Sequence, residues 1–470
     1  MPHSALRILL LGLALVVAAC GGGEDVPAEP DAAASLVNLA HLDHLGETVV
    51  RGDTTYRLVH IYAEAPDYAW VGDDDEGIAC VDDAARAAVV YLRHVEQTGD
   101  AEAREKAQAL LRFILYMQRP DGLFDNFVWD RTLRINTEHP NSRAEGVTWW
   151  TARAVWALGE GVRVLHSADP AAAALYAERA RRVLPHLQRL LHRYGETFTL
   201  DGRVYPRWLP GEVAADATSE LLLGLTALQA VQPDSTLRQM IDRLAEGVAL
   251  MQVDADHPLV PSAHLSWRAL WHAWGNAQSA ALVAAGHPAG AVQEAERFFP
   301  RLLVDGWLHS VDLETGTVRR FEQIAYGVRP VVTGLLALAE ATGDRRYAVL
   351  AGLAASWLTG NNAAATPMYD PATGRGYDGI LGPDRINANA GAESTIEALL
   401  TLQAVEAHPA ARAWLFARGE APQSVERDGT VYRYRVFRAG EGRRLAVAVP
   451  SDGSPFRLLE GDALEAFLAS

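Results

Sequence analysis

Between roughly residues 80 and 406 the chain alternates two kinds of helix, and this alternation restricts the fold more than any other feature. One kind is rich in Ala, Leu and Trp and almost free of charge. Segments of this kind are predicted at about 82–95, 145–160, 215–231, 266–285, 325–341 and 391–406. A helix that is apolar all round is buried on all sides. The other kind is amphipathic, at about 102–118, 171–194, 235–252, 288–304 and 344–359. Glu102-Ala103-Arg104-Glu105-Lys106 and Glu178-Arg179-Ala180-Arg181-Arg182 read as the solvent faces of two of these. The buried segments start about 50–70 residues apart, too long and irregular for the short solenoid repeats. Six buried helices inside a ring of exposed ones predict an all-α fold, an (α/α)6 toroid over residues 33–420. Its inner helices would form a barrel around a cavity; an open solenoid is the alternative. The sixth outer helix is expected near Ala32–Leu45 or within Pro409–Arg418.

The last fifty residues, 421–470, differ in kind. Val431–Phe437 and Arg444–Val449 are rich in Val, Tyr and Phe, with Ala439-Gly440-Glu441-Gly442 between them as a turn. A third strand is expected at Phe456–Leu459. The segment reads as a small β appendage packed against the toroid.

The other end carries a leader. Arg7 precedes an apolar run from Ile8 to Ala19, the length of a signal-peptide core and too short to span a bilayer as a mature helix. The small residues before Cys20, followed by Gly21-Gly22-Gly23, resemble the lipobox of bacterial lipoproteins. That resemblance implies removal of residues 1–19, lipidation of Cys20 and a disordered tether over 20–32. The expected location is the bacterial cell envelope, with the membrane as a partner only through the lipid.

Charge agrees with a covalent anchor. The chain carries a formal charge of −17, and loss of the leader removes one basic residue, Arg7. So acidic a body favours neither nucleic acid nor anionic lipid. Cys80 has no partner once Cys20 is acylated, so the mature chain has no disulfide and no multi-cysteine metal site. Asp73-Asp74-Asp75 reads as a solvated loop, and neither metal nor cofactor is expected. A monomer is expected.

Polar and aromatic residues gather at the starts of the buried helices. The first has Asp82, Asp83 and Arg86; the second follows Glu145 and includes Trp149, Trp150 and Arg153. The third has Asp216 and Glu220. The fourth is read as one helical stretch holding His264, Trp267, Arg268, Trp271, His272, Trp274, Asn276 and Gln278. Glu322-Gln323 and Tyr326 lead into the fifth, and Asn387, Asn389 and Glu393 into the sixth. Asp82 and Asp216 could be N-caps, and Arg86 could pair with Asp82 one turn away. Capping does not need Trp, however. Aromatic faces beside hydrogen-bonding groups suit sugar rings, so the expected partner is a carbohydrate.

Together these features resemble the six-hairpin glycosidase superfamily over about residues 36–406. "CVDDAARA" at 80–87, "NAGAEST" at 389–395 and "WLTGNNAAATPMYDPATGRGYDGI" at 357–380 are similar to strings in exported six-hairpin proteins. The resemblance implies a toroid acting on sugars and leaves the activity open between hydrolase, lyase and epimerase.

Glycoside hydrolysis needs one protonated and one ionised carboxyl. Adjacent residues on a helix diverge by about 100°, so only one of Asp82 and Asp83 is expected to face the cavity. If the ring closes, Glu393 lies beside the first helix and pairs with that Asp as acid and base; Glu145 and Glu220 are the reserves. Arg86, Asn276, Asn387 and Asn389 are expected to bind substrate, with Trp149, Trp271 and Tyr377 stacking on rings and Tyr326 lining the site. A lyase or epimerase would use Tyr326 with Arg329, or His264 or His272 with Arg268. A non-catalytic glycan-binding lipoprotein is the third reading.

Overall fold

The computed structural model describes residues 35–469. The leader, Cys20 and the tether to residue 32 lie outside the described residues. A short helix, α1 (Ala40–Leu45), precedes the ring. The hairpins then follow in order: α2 (Val81–Thr98) with α3 (Ala101–Tyr116), and α4 (Trp149–Leu165) with α5 (Pro170–Arg181) and α6 (Leu184–Leu191). Next come α7 (Ala215–Val231) with α8 (Ser235–Ala249), and α9 (Gln278–Ala284) with α10 (Ala289–Arg297) and α11 (Phe299–Asp305). Last are α12 (Ala325–Thr342) with α13 (Arg345–Ala355), and α14 (Ala392–Glu406) with the single turn α15 (Pro409–Arg412). Each inner helix packs on the next, from α2 through α4, α7, α9 and α12 to α14, and α14 returns to α2. The ring is closed, which makes the body an (α/α)6 toroid. The sixth outer position is filled by α15, while α1 packs beside it on α14.

Caps separate the two layers. Asp100, Asp169, Asp234 and Asp344 cap the outer helices α3, α5, α8 and α13, each side chain accepting from first-turn N–H groups. Of the inner helices only α2 has a side-chain cap, and that cap is the thiol of Cys80. Asp82 and Asp216 are therefore not caps; they sit inside the first turns of α2 and α7. Inner helices α4 and α7 approach backbone to backbone: a Cβ on Gly159 would lie 2.2 Å from the carbonyl of Gly224.

The fourth inner helix is shorter than its sequence suggested. Helix α9 begins at Gln278, and the stretch before it is a loop whose strand Leu270–His272 pairs with Ser310–Asp312. Its Trp and His residues pack well on a pleated surface, and tertiary pairing overrides the helical spacing. Likewise α4 begins at Trp149 rather than at 145. Two hairpins ahead of α2 were not read from the sequence: Gly46–Arg51 with Thr54–Val59, and Tyr62–Glu64 with Ala69–Val71.

The C-terminal appendage is one antiparallel sheet of Arg418–Gly419, Gln423–Arg427, Thr430–Arg438, Arg444–Pro450 and Arg457–Glu460, followed by α16 (Gly461–Ala469). Alternation along the strands sends Phe437, Leu445, Val447 and Val449 into the toroid's core. Val436, Ala446 and Ala448 face the other way and pack with Leu464 and Phe467 of α16, a helix the sequence reading did not include.

Candidate active site

The inner helices share one direction, so their N-termini surround one mouth of the toroid. A cavity of about 440 Å³ opens there, lined by Asp82, Asp83 and Arg86 of α2, Arg153 of α4, Tyr326 of α12 and Glu393 and Ser394 of α14. Loop residues complete it: Tyr62, Glu76, Phe127, Glu322, Asp378 and Asn387.

Local structure sets each group. Strand Ala79–Cys80 pairs with Phe127–Val128 and delivers the chain to α2. The Asn126 amide oxygen accepts the N–H groups of Val81 and Asp82 at 3.1 and 3.2 Å, while its nitrogen donates to Asp82 Oδ2 at 3.0 Å. The Cys80 thiol is buried, donates to Asp83 Oδ2 at 3.3 Å and is pushed well up by burial, which makes it inert. At α14, Asp378 Oδ1 accepts from the Gly391 amide at 2.9 Å and the Ser394 hydroxyl at 2.7 Å. It thereby ties the loop to the start of α14.

The floor is a chain of alternating charges. Arg86 donates to Asp83 at 2.6 Å, Glu393 at 3.1 Å, Glu397 at 3.0 Å and the Asp82 carbonyl at 3.3 Å. Arg153 donates to Asp82 at 2.6 Å, to Glu220 at 3.2 Å and to the Tyr326 hydroxyl. Arg329 joins Glu220 at 2.8 Å to Glu397 below the cavity. Burial pushes Glu220 up, yet Arg153 and Arg329 hold it below the ordinary carboxylate range. Buried charges persist only when paired in this way.

Glu322 is different. Among the described residues no hydrogen bond or ion pair holds its carboxyl, and burial, then the negative charges of Asp378 and Glu393, raise its pKa. Asp378 is also raised, chiefly by burial. Glu393 is fixed by Arg86 but remains 45% exposed at its side chain. The arrangement therefore offers an unpaired carboxyl whose burial favours its proton, beside a carboxyl that a guanidinium holds in place.

The structure places Asp82, Asp83, Glu393, Arg86, Tyr326 and Asn387 in this cavity. Arg86 holds Asp83 rather than Asp82, so Asp82 is the one aimed at Arg153 and the cavity. Other expected residues lie elsewhere. Glu145 is exposed on the loop before α4, outside the cavity lining. Glu220 is fully buried beneath the floor, bonded at both oxygens. Trp149 lies under the Arg153 guanidinium, 4.8 Å from its ring centre, and fills the space beside Gly275. Trp271 is buried edge-on against Phe298, with ring centres 4.9 Å apart. Asn276 bonds Ser266 and Gln278, and Asn389 accepts from the Ala65 amide. Tyr377 also falls outside the lining. The tryptophans fill gaps between elements and the two asparagines bond within the fold. His264 pairs with Glu294 and His272 with Asp216, both buried, while Arg268 pairs with Glu212 at the surface. The sequence reading noted Glu322 and Arg153 at inner-helix starts without giving them a role, held Asp378 only within the 357–380 string, and did not single out Glu397. Only the position of Glu322 and Arg153 at inner-helix starts signalled them.

No protein-family model and no curated protein matches the sequence. Solved structures are similar in fold. A sugar epimerase from a ruminal bacterium is 12% identical, with a TM-score of 0.55, covering 79% of this chain and 97% of its own. Cellobiose 2-epimerase from Bacillus thermoamylovorans B4167 is 11% identical, with a TM-score of 0.54 over 74% of this chain and 92% of its own. A D-mannose isomerase is 12% identical, with a TM-score of 0.50 over 78% and 95%.

Proposed function

We propose that the protein is a carbohydrate-active enzyme, a glycoside hydrolase working from the toroid cavity by carboxylate catalysis. Glu322 donates its proton to the glycosidic oxygen as the C–O bond breaks, while a water attacks the anomeric carbon and gives its proton to Glu393, which Arg86 holds in place. The observation that carries this reading is the unpaired Glu322 carboxyl with its raised pKa beside the Arg86-bound Glu393. Asp82 and Asn387 are groups for sugar hydroxyls, and Tyr62 and Phe127 offer apolar faces at the wall. The similar solved folds are named for sugar substrates, which supports a sugar here. Screening the purified protein on a glycan panel with reducing-end detection tests the reading. New reducing ends without the absorbance of an unsaturated uronate are expected.

Those same names favour a second reading, a sugar epimerase. It would need an acid–base pair such as Tyr326 or a histidine. Tyr326 is pushed well up by burial, and no histidine is among the cavity-lining residues. Epimerised product with no new reducing ends would establish it instead.

We further propose that the enzyme works at the cell envelope, lipidated at Cys20. Membrane fractionation of Cys20→Ser checks this: release without unfolding is expected, and retention in the membrane fraction would refute it.

A further inference from the structure

We propose that the cavity takes neutral or amino-bearing sugars and rejects uronates, an inference that rests on the functional reading above. Selectivity for charge depends on which cavity groups remain free after the protein has satisfied itself. The lining holds two cations, Arg86 and Arg153. Every nitrogen of Arg86 already donates to the protein, to Asp83, Glu393, Glu397 and the Asp82 carbonyl. Those of Arg153 donate to Asp82, Glu220 and Tyr326. Arg86 thus spends four of its five N–H groups on the protein and Arg153 three of its five, and the charge of each is already met by neighbouring carboxylates.

Helix N-termini are the other place where an anion binds. At α2 and α14, whose first turns line the cavity, the protein already takes up several of these amides. Asn126 takes the Val81 and Asp82 amides, Cys80 takes the Asp83 amide, and Asp378 takes the Gly391 amide.

What remains free is acceptor. Among the described residues nothing bonds the Glu322 carboxyl, Asp378 engages the protein through Oδ1, and Glu76 at the rim is bonded by the Tyr62 hydroxyl at 2.7 Å. A sugar carboxylate placed among these groups enters a lining in which six carboxyls outnumber two guanidiniums. Hydroxyls, and a protonated amine still more, meet acceptors that lack donors. The raised pKa values of Glu322 and Asp378 point the same way, since the pocket already resists its own negative charge.

The test compares matched oligosaccharides that share backbone and linkage but carry a hydroxymethyl, an amine or a carboxylate, with binding measured by calorimetry on the full chain. The uronate member is expected to bind about tenfold or more weaker than its neutral or amine counterpart. Glu76→Arg, which adds a free cation at the rim, is expected to narrow that gap. Uronate binding equal to or tighter than the neutral member would overturn the inference. So would a gap that Glu76→Arg leaves unchanged. Neutral-sugar binding without turnover would sink the hydrolase reading and leave the charge preference standing. Failure of every member to bind would remove both.

Discussion

The two mouths of the toroid are built from the same six helices yet present opposite chemistry. Each opens on a cavity of about 440 Å³. At the C-terminal mouth the acids are paired: Glu96 with Arg163 at 2.5 and 2.8 Å, and Glu340 with His408 at 3.1 Å. At the N-terminal mouth Glu322 stands alone and Asp378 is engaged through one oxygen. The connections differ as well. Gly99-Asp100 joins α2 to α3 and Gly343-Asp344 joins α12 to α13, each glycine left-handed and each aspartate the next cap. The opposite mouth receives long loops that carry Glu76, Glu322 and Asp378. Equal volume and abundant charge thus do not distinguish the two mouths; the carboxyls left unneutralised on loops do.

The largest effect expected is on the floor that separates the mouths. Glu397→Gln keeps the shape but leaves Arg86 and Arg329 each short of a buried carboxylate. A loss of about 3–5 kcal/mol in denaturant unfolding is expected. A loss under about 1 kcal/mol would mean that the floor is not a coupled network. Glu322→Gln and Glu393→Gln are next, each lowering turnover about 100-fold or more with the melting temperature held. If both variants stay active, the N-terminal mouth loses its claim to be the reactive one.

A subtler effect concerns pH. Glu322 must be protonated to act, so activity falls as pH rises through its raised pKa. Asp378→Asn removes one of the charges that raise it, and the alkaline limb of the pH–rate profile should move to lower pH. A limb that stays in place would assign the titration to another group. Smallest of all, Glu96→Gln and Glu340→Gln at the C-terminal mouth should alter stability by less than about 1 kcal/mol. Turnover should be unaffected in both, and a kinetic defect in either would extend the site through the barrel.

The fold was legible because long charge-free helices admit few arrangements, and circular closure follows once six of them are found. Closure is also why Glu393 and the Asp82-Asp83 pair meet in one cavity despite their separation in sequence. The fourth inner helix failed as a reading because Trp271 and His272 have helical spacing but are held in a strand by Val311 and Ser310. Glu322 and Asp378 carry no periodic signal, since loop residues acquire their neighbours only from the fold. The tryptophans misled for a related reason. Composition shows that a large ring exists, and packing alone decides whether it faces a ligand or, as Trp149 and Trp271 do, a neighbouring helix or loop.

The chain enters the folded body at Ser35, whose hydroxyl donates to Glu406 at 2.6 Å, at the last residue of α14. That point belongs to the C-terminal mouth. The first described residue is therefore tied to the end of α14 opposite Glu393, the turn that enters the N-terminal cavity.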